Sequence, residues 1–544
     1  MIAEWLSREW SPPSWIPMET LAVDLPFWRS VFWMLSAIAL LSFFLSSRKK
    51  KQGAFSSASN RRLMVVIGVL FVGILIYQAT WQLAGFSRPE FVQFMKKYNR
   101  RPDNPVARIV RGEVLDARGN VLAKSDPERL GQRWYPYGAA FCHVVGYDHP
   151  FYGMSGIEAA DHASLSGVTR DSVTEWERFG KNLINRDDIR GNNLQLTLLA
   201  QLQVVAHEAM MGKKGAAVFI DAQTGHILVL YSAPGFDPEY MPSGMFERED
   251  RDAKFLNRVL QGLYPAGSTL KVLVAAAALE HGKNPTFACP ADGVVFGTGN
   301  RPIRDHEYYD YQRRGRSWPG HGTLNMREAL AKSSNIYFAR LGVDLGGDIL
   351  TEVANRCGLN SAWMVFHGSS GSISSRKGRF NALKREDRAK TAQVSIGQGD
   401  MLVTPFHMAM MAAAIGNQGS PPKPILAVAE KSQKLPAFFD VSASKKLTEM
   451  MRYAVTSGTG RGADIPGLNV AGKTGTAQNP HGKDHGWFIG FAPDHQPRIA
   501  FAVVVEQGGY GSESAVPVAN AVLRKAREIG VFDQVSSMER RTSL

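Results

Sequence analysis

Only three cysteines, Cys142, Cys289 and Cys357, occur in the 544 residues. So few exclude a disulfide scaffold, and the odd count leaves at least one thiol unpaired within a monomer. Cys289 and Cys357 could pair in an oxidising compartment, provided their Cα atoms lie within about 7 Å. No internal repeat and no long low-complexity linker is apparent. The 52 Gly and 28 Pro follow no period, so the chain is not collagen-like. Charged residues make up 21% and hydrophobic ones 44%, a globular balance that excludes wholesale disorder and a polytopic membrane protein. The length allows one large domain and a smaller one.

The charge is one-sided: 63 Lys and Arg against 49 Asp and Glu give a net +14. Nucleic acid, an anionic membrane or a cell wall would each suit it, so its placement decides. Residues 27–46 and 63–86 are apolar runs near the roughly 20 residues that a membrane helix needs. The loop 47–62 between them carries Arg48, Lys49, Lys50, Lys51, Arg61 and Arg62 and no acid, whereas the tail 1–26 is acidic. The positive-inside rule therefore places the loop in the cytoplasm and everything after Phe86 outside. The basic residues follow the first apolar run, the reverse of a cleaved signal peptide. A two-pass inner-membrane protein with an extracytoplasmic bulk is expected, and a nucleic-acid partner is not.

Residues 87–190 are mixed and Gly-rich and read as a small irregular domain; the texture changes over 191–535, before a short tail 536–544. Leu194–Met211 is an amphipathic helix candidate. Ala216–Ile220 and His226–Tyr231 read as a β-hairpin, and Leu270–Leu279 as a small-residue helix suited to close packing. Leu468–Ala471, Trp487–Phe491 and Ile499–Glu506 read as strands, followed by an amphipathic helix from Pro517 to Ile529. An α+β domain in which distant strands share one sheet is expected.

Three short constellations carry nucleophilic chemistry. In Tyr264-Pro-Ala-Gly-Ser-Thr-Leu-Lys271, Ser268 opens the small-residue helix, and Lys271, three positions on, lies on the same face within hydrogen-bonding reach. A neutral Lys there could take the hydroxyl proton, and the helix N-terminus offers N–H groups to a developing oxyanion. Taken alone the pattern is common, and an N-cap serine beside a solvated lysine reads equally well. The second is Ser333-Ser334-Asn335 and the third Lys473-Thr474-Gly475-Thr476, on a strand. His481 and His485 around Asp484 fit a solvated hairpin loop better than a metal site, and Cys142-His143 with His149 is a similarly weak cluster. Trp487 reads as core.

The three constellations, in this order and at wide spacing within one domain, match the active-site set of acyl-serine transferases and β-lactamases. The chain resembles a class B penicillin-binding protein, a D,D-transpeptidase that crosslinks bacterial peptidoglycan. The flanking segments Ala216–Pro238, Asn257–Lys271, His321–Phe338, Ser395–Met408 and Lys473–Pro493 carry the resemblance across about 190–530. Tyr135–Gly138 and Gly153–Gly167 are similar to that family's short pedestal.

The resemblance implies a penicillin-binding transpeptidase fold, an antiparallel sheet flanked by helices, behind the pedestal and two transmembrane helices. It implies Ser268 as nucleophile, Lys271 as its base and Ser333 as proton relay. Asn335, Lys473, Thr474, Gly475 and Thr476 would bind substrate, and the backbone N–H groups of Ser268 and Thr476 would form the oxyanion hole. The substrates would be peptidoglycan stem peptides, with β-lactams as covalent inhibitors and neither metal nor organic cofactor. Only about 100 residues lie between Phe86 and the transpeptidase, too few for a glycosyltransferase domain, and no Glu-Asp-x-x-Phe motif occurs, so a separate polytopic glycosyltransferase is the implied partner. The same serine and lysine would serve a D,D-carboxypeptidase or β-lactamase, but those are usually secreted or peripheral. A non-enzymatic β-lactam sensor would need a cytoplasmic effector, and neither one nor a His-Glu-x-x-His motif is present.

Overall fold

The computed structural model describes residues 65–74, 109–126, 132–167, 189–241, 250, 252–297, 301–479 and 482–533. Residues 65–74, inside the expected second span, are helical. The first span, the basic loop and the rest of the second span lie outside the described residues. Among the described residues, no helix is long and apolar enough to cross a membrane.

The sheet follows from an alternation hidden inside continuous apolar runs. Five strands, β1 (Gly215–Asp221), β2 (Ile227–Ala233), β3 (Ala471–Ala477), β4 (His485–Ala492) and β5 (Ile499–Val505), pair antiparallel in the order β2-β1-β5-β4-β3. Successive side chains point to opposite faces. Ala216, Val218 and Ile220 of β1 join one core with Ala500, Ala502 and Val504 of β5 and with Trp487, Ile489 and Phe491 of β4. Ala217 and Phe219 join the other, with Phe501, Val503 and Phe488. Both faces are covered, so all but the edge strand β3 read as largely hydrophobic stretches. Trp487 is core, as its sequence context suggests.

The helices that frame the sheet and the site include α1 (Ala200–Ala209), α2 (Lys271–Glu280), α3 (His306–Arg313), α4 (Met326–Lys332), α5 (Asn335–Leu345), α6 (Pro405–Gly416), α7 (Val441–Ser457) and α8 (Gly511–Glu528). One face of the sheet is covered by α1 and α8, the other by the lobe containing α2, α4, α5 and α6. The α6 sequence PFHMAMMAAAIG is apolar all round, as a helix enclosed on every side must be.

Three expected elements differ. The strand expected at Leu468–Ala471 starts only at Ala471 and runs on to Ala477, pairing with β4. Leu194–Met211 is not one helix: Leu194 and Leu196 donate their N–H groups to Glu113 O and Leu115 O, both at 2.8 Å. Leu194–Gln195 is therefore a strand, and α1 starts only at Ala200. The last helix begins at Gly511 rather than Pro517, its start pinned where a Cβ on Gly511 would lie 2.0 Å from Trp487 O.

Upstream, Arg133–Trp134, Val121–Ser125, Val114–Leu115 and Leu194–Gln195 form a four-stranded sheet. Its centre is electrostatic. Glu158, fully buried, accepts from Arg111 Nε at 2.6 Å on one oxygen and from Arg133 Nε at 2.8 Å on the other. Asp116 Oδ2 reaches across to accept the Ala200 N–H at 3.0 Å, the first residue of α1. The upstream sheet and α1 are thus stitched by backbone and carboxylate together.

Glu158→Ala leaves two guanidinium groups buried without their carboxylate, and we expect it to lower unfolding stability by about 3–5 kcal/mol. Lys283→Ala breaks the exposed 2.7 Å pair with Asp344 and should cost under about 1 kcal/mol. Denaturant unfolding of the two variants distinguishes these outcomes.

Candidate active site

Ser268 sits in a 3₁₀ turn, Gly267–Leu270, that runs straight into α2. The turn is held from several sides. Gly267 N–H donates to Gly397 O at 2.9 Å, Tyr264 N–H to Val403 O at 2.9 Å, and Trp487 Nε1 to Pro265 O at 3.1 Å. Tyr264 Oη donates to Glu506 Oε1 at 2.7 Å, and Arg258 Nε reaches the same oxygen at 2.7 Å. Gly267 has φ +54, and a Cβ there would meet Thr476 O at 2.6 Å. The Ser268 turn and the β3 strand therefore touch backbone to backbone.

Lys271 lies on the first turn of α2, fully buried. Its Nζ donates to Ser333 O at 2.6 Å and Asn335 Oδ1 at 2.7 Å, with Ser333 Oγ at 3.4 Å. The spacing alone suggests a direct bond to Ser268, but Ser268 is not among these partners: the amine is turned toward the second constellation. A neutral amine has two N–H groups and one lone pair. The two short bonds use the N–H groups, which leaves the lone pair to accept a proton.

Ser333 ends α4 in the left-handed region, φ +59 and ψ 36. This conformation is costly for a side chain with a Cβ. It turns the hydroxyl between two amines, because Lys473 Nζ also donates to Ser333 Oγ, at 2.9 Å. Ser334 caps α5, its Oγ accepting from Tyr337 N–H at 3.2 Å. Asn335 Nδ2 donates to Arg304 O at 2.9 Å.

Lys473 reaches the site because β3 is the edge strand beside β4, in register with Lys473 opposite Ile489. It is fully buried, and its Nζ also donates to Thr474 O at 2.7 Å. The Thr474 hydroxyl is shared with Thr459 at 2.6 Å. A Cβ on Gly475 would lie 2.8 Å from Thr269 Cγ2, so the strand passes the Ser268 turn at a separation that favours glycine. Thr476 follows, against Gly267. Tyr510 Oη, just before α8, donates to Asp310 Oδ1 of α3 at 3.0 Å.

Burial sets the charges. Desolvation pushes the Lys271 amine down to about 7, against the upward pull of Asp305 and Glu307. Lys473 is held well below the usual lysine range, by burial and then by the like charge of Lys271. Two amines around one hydroxyl cannot both remain protonated at little cost, and an uncharged lysine is what proton abstraction from a serine needs.

The structure thus brings Lys271, Ser333, Asn335 and Lys473 into one hydrogen-bonded set and lays Ser268, Gly475 and Thr476 along its edge. Sequence reasoning missed Asp305 and Thr459, which sit in no motif. It also left the cysteines open: all three are free and buried. His485 accepts from Gln507 N–H at 3.1 Å at the start of β4, whereas His481 lies outside the described residues. His143 is half-buried, its Nε2 2.7 Å from Lys254 O, and His149 stacks on Tyr152.

The family profile described as the penicillin binding protein transpeptidase domain matches residues 215–524. That described as the penicillin binding protein A dimerisation domain matches residues 111–194. The chain is 32% identical over 439 residues to the peptidoglycan D,D-transpeptidase MrdA of Acinetobacter baumannii, covering 70% of this chain and 64% of that protein. It therefore spans just under two thirds of that relative's length. It is 30% identical over 526 residues to the peptidoglycan D,D-transpeptidase PbpA of Mycobacterium tuberculosis, covering 86% of this chain and 99% of that one. Among solved structures, the ceftriaxone acyl-enzyme complex of penicillin-binding protein A from M. tuberculosis matches with a TM-score of 0.67 at 27% identity, over 77% of this chain and 98% of that one. Pseudomonas aeruginosa PBP2 in complex with WCK 5153 matches with a TM-score of 0.63 at 29% identity, over 77% and 96%.

Gly267→Ala adds a clash with β3 to an unfavourable φ, and a loss of roughly 2–3 kcal/mol with a lower thermal midpoint is expected. Gly282, at φ +66, has no atom within 4 Å of the added Cβ, so Gly282→Ala should cost only about 1 kcal/mol. Equal losses in thermal unfolding would show that the contact with Thr476 carries no weight.

Proposed function

The chain belongs to the penicillin-binding protein transpeptidase family, and from that premise we propose that it is a membrane-anchored D,D-transpeptidase crosslinking peptidoglycan stem peptides through an acyl-serine at Ser268. The observation that carries this reading is the buried set of two lysine amines around the Ser333 hydroxyl, beside the turn that presents Ser268.

The Ser268 hydroxyl attacks the carbonyl between the two terminal D-alanines, and its proton passes to the free lone pair of Lys271. Charge develops on the carbonyl oxygen, which the backbone N–H groups of Ser268 and Thr476 receive; the contact between Gly267 and Thr476 O supports that pairing. The carbon–nitrogen bond then breaks. The departing D-alanine amine takes a proton by way of Ser333, whose hydroxyl lies within 3.4 Å of Lys271 Nζ and 2.9 Å of Lys473 Nζ. An amine from a neighbouring stem peptide attacks the acyl-serine, loses a proton to the same relay and releases Ser268. Asn335 orients the donor amide, and Gly475 gives the substrate backbone close access to β3. Lys473, Thr474 and Thr476 face the substrate carboxylate. Burial holds the Lys473 amine well below the usual lysine range, and an arriving carboxylate would favour its charged form.

The apolar runs 27–46 and 63–86 anchor the protein in the inner membrane in two passes, with the catalytic unit in the periplasm. A separate polytopic glycosyltransferase supplies the glycan, docked on the anchor and pedestal. β-Lactams, which present a reactive carbonyl beside a carboxylate, acylate Ser268.

Detergent-extracted protein incubated with a fluorescent penicillin should acquire stable label, and Ser268→Ala should acquire none. Label that forms and vanishes within seconds would point to a hydrolase instead. Because Lys271 must be neutral to accept the proton, the labelling rate should climb with pH through about 7 and level off above it. Below roughly pH 6 it should fall about tenfold per unit. A rate flat from pH 5 to 9 would remove Lys271 as the base.

A further inference from the structure

Outside the three constellations, one fully buried carboxylate faces the site. Asp305, between the loop that carries Arg304 and the start of α3, has no exposed surface. Its oxygens receive the Ser334 hydroxyl at 3.0 and 3.1 Å, the Ile336 N–H at 3.1 Å and the Asn335 N–H. It therefore closes the N-terminus of α5, where a negative charge meets the positive end of an eleven-residue helix. The preceding carbonyl, Arg304 O, takes the Asn335 side-chain N–H at 2.9 Å. With backbone and Nδ2 both fixed, Asn335 Oδ1 is left pointing at Lys271 Nζ, 2.7 Å away.

We propose that Asp305 is a positioning residue for the proposed transpeptidation: its buried carboxylate holds the Ser333–Asn335 segment so that Ser333 O and Asn335 Oδ1 aim the Lys271 amine, and it supplies the negative charge that amine faces. This inference rests on the acyl-serine reading. The physical argument is that Lys271 meets opposing influences. Burial disfavours its charged form, and Asp305 is the first of the two carboxylates that favour it, ahead of Glu307. Lys473 acts from β3, and His306 faces Lys271 from α3. On Asp305's own side lie His321, with Nε2 at 3.8 Å from Asp305 Oδ2, and Cys289, whose thiol is pushed up by burial and feels the carboxylate. Without Asp305 the amine would be both less well aimed and a weaker base.

The two effects separate in a pH profile. The second-order rate of fluorescent-penicillin labelling is measured from pH 5 to 9 on the full-length protein in detergent, with thermal unfolding as a check on folding. For Asp305→Asn, which keeps the shape and removes the charge, the plateau rate should fall about tenfold. The acid limb should also move to lower pH by about one unit, because the charge that raised the Lys271 pKa is gone. Asp305→Glu keeps the charge and displaces the carboxylate, so the plateau should fall while the limb holds its place. Ser334→Ala, which removes one partner and leaves the carboxylate, should also leave the limb unmoved. An unmoved limb in folded Asp305→Asn, or the same displacement in Asp305→Glu as in Asp305→Asn, overturns the proposal. If Asp305→Asn does not fold, Asp305→Glu decides: a displaced limb or an undiminished plateau overturns the proposal. Wild-type protein that takes no label at Ser268 overturns the acyl-serine reading itself, a result distinct from a labelled wild type whose limb ignores Asp305.

Discussion

Two lysine amines buried around one serine hydroxyl are the constraint on which the rest of the site depends. An ammonium taken out of water is unstable unless it is paired or loses its proton. Lys271 and Lys473 have no exposed surface, and they stand close enough to share the Ser333 hydroxyl. The protein must therefore enclose them tightly, supply oxygen acceptors at short range and keep the residual charge in balance. Carbonyl oxygens of Ser333 and Thr474 and the amide oxygen of Asn335 do the second. Asp305 and Glu307 oppose the desolvation of Lys271.

Enclosure depends on small residues. The helix behind Lys271 is Lys-Val-Leu-Val followed by four alanines, all buried, so neighbouring helices approach closely. Glycines do the same at the strand: Gly475 lets β3 pass against Thr269, and Gly267 lets the Ser268 turn lie on Thr476. The five-stranded sheet is the rigid reference for these contacts. With both faces covered, its register cannot slip by one residue without exchanging the two cores. Its edge strand β3 carries Lys473 to a fixed place beside α2.

The upstream sheet obeys a related rule. Glu158 is buried with a guanidinium on each oxygen, and Asp116 holds the first turn of α1. Small, short-stranded modules have little apolar surface to bury. Charge pairing that fixes geometry serves such a module, and here it also fixes how the chain enters the catalytic unit at Leu194–Ala200.

The sequence by itself determined the elements whose signal is local. The hairpin around Asp221–Gly225, the small-residue helix after Ser268 and the apolar strands near the C-terminus all show in residue pattern, because burial on a given face imposes periodicity. The three constellations were legible as residue types, and their joint order pointed to acyl transfer. Tertiary structure alone decided what those residues touch. Spacing put Lys271 beside Ser268, yet its hydrogen bonds go to Ser333 and Asn335, more than 60 positions away. Leu194–Gln195 looked helical and became a strand because Glu113 and Leu115 offered carbonyls. Asp305 and Thr459 carry no pattern at all, since a buried polar side chain is defined by its partners rather than its neighbours. Apolar burial is periodic and so is written along the chain; polar convergence is a matter of three-dimensional distance, which only the completed fold can set.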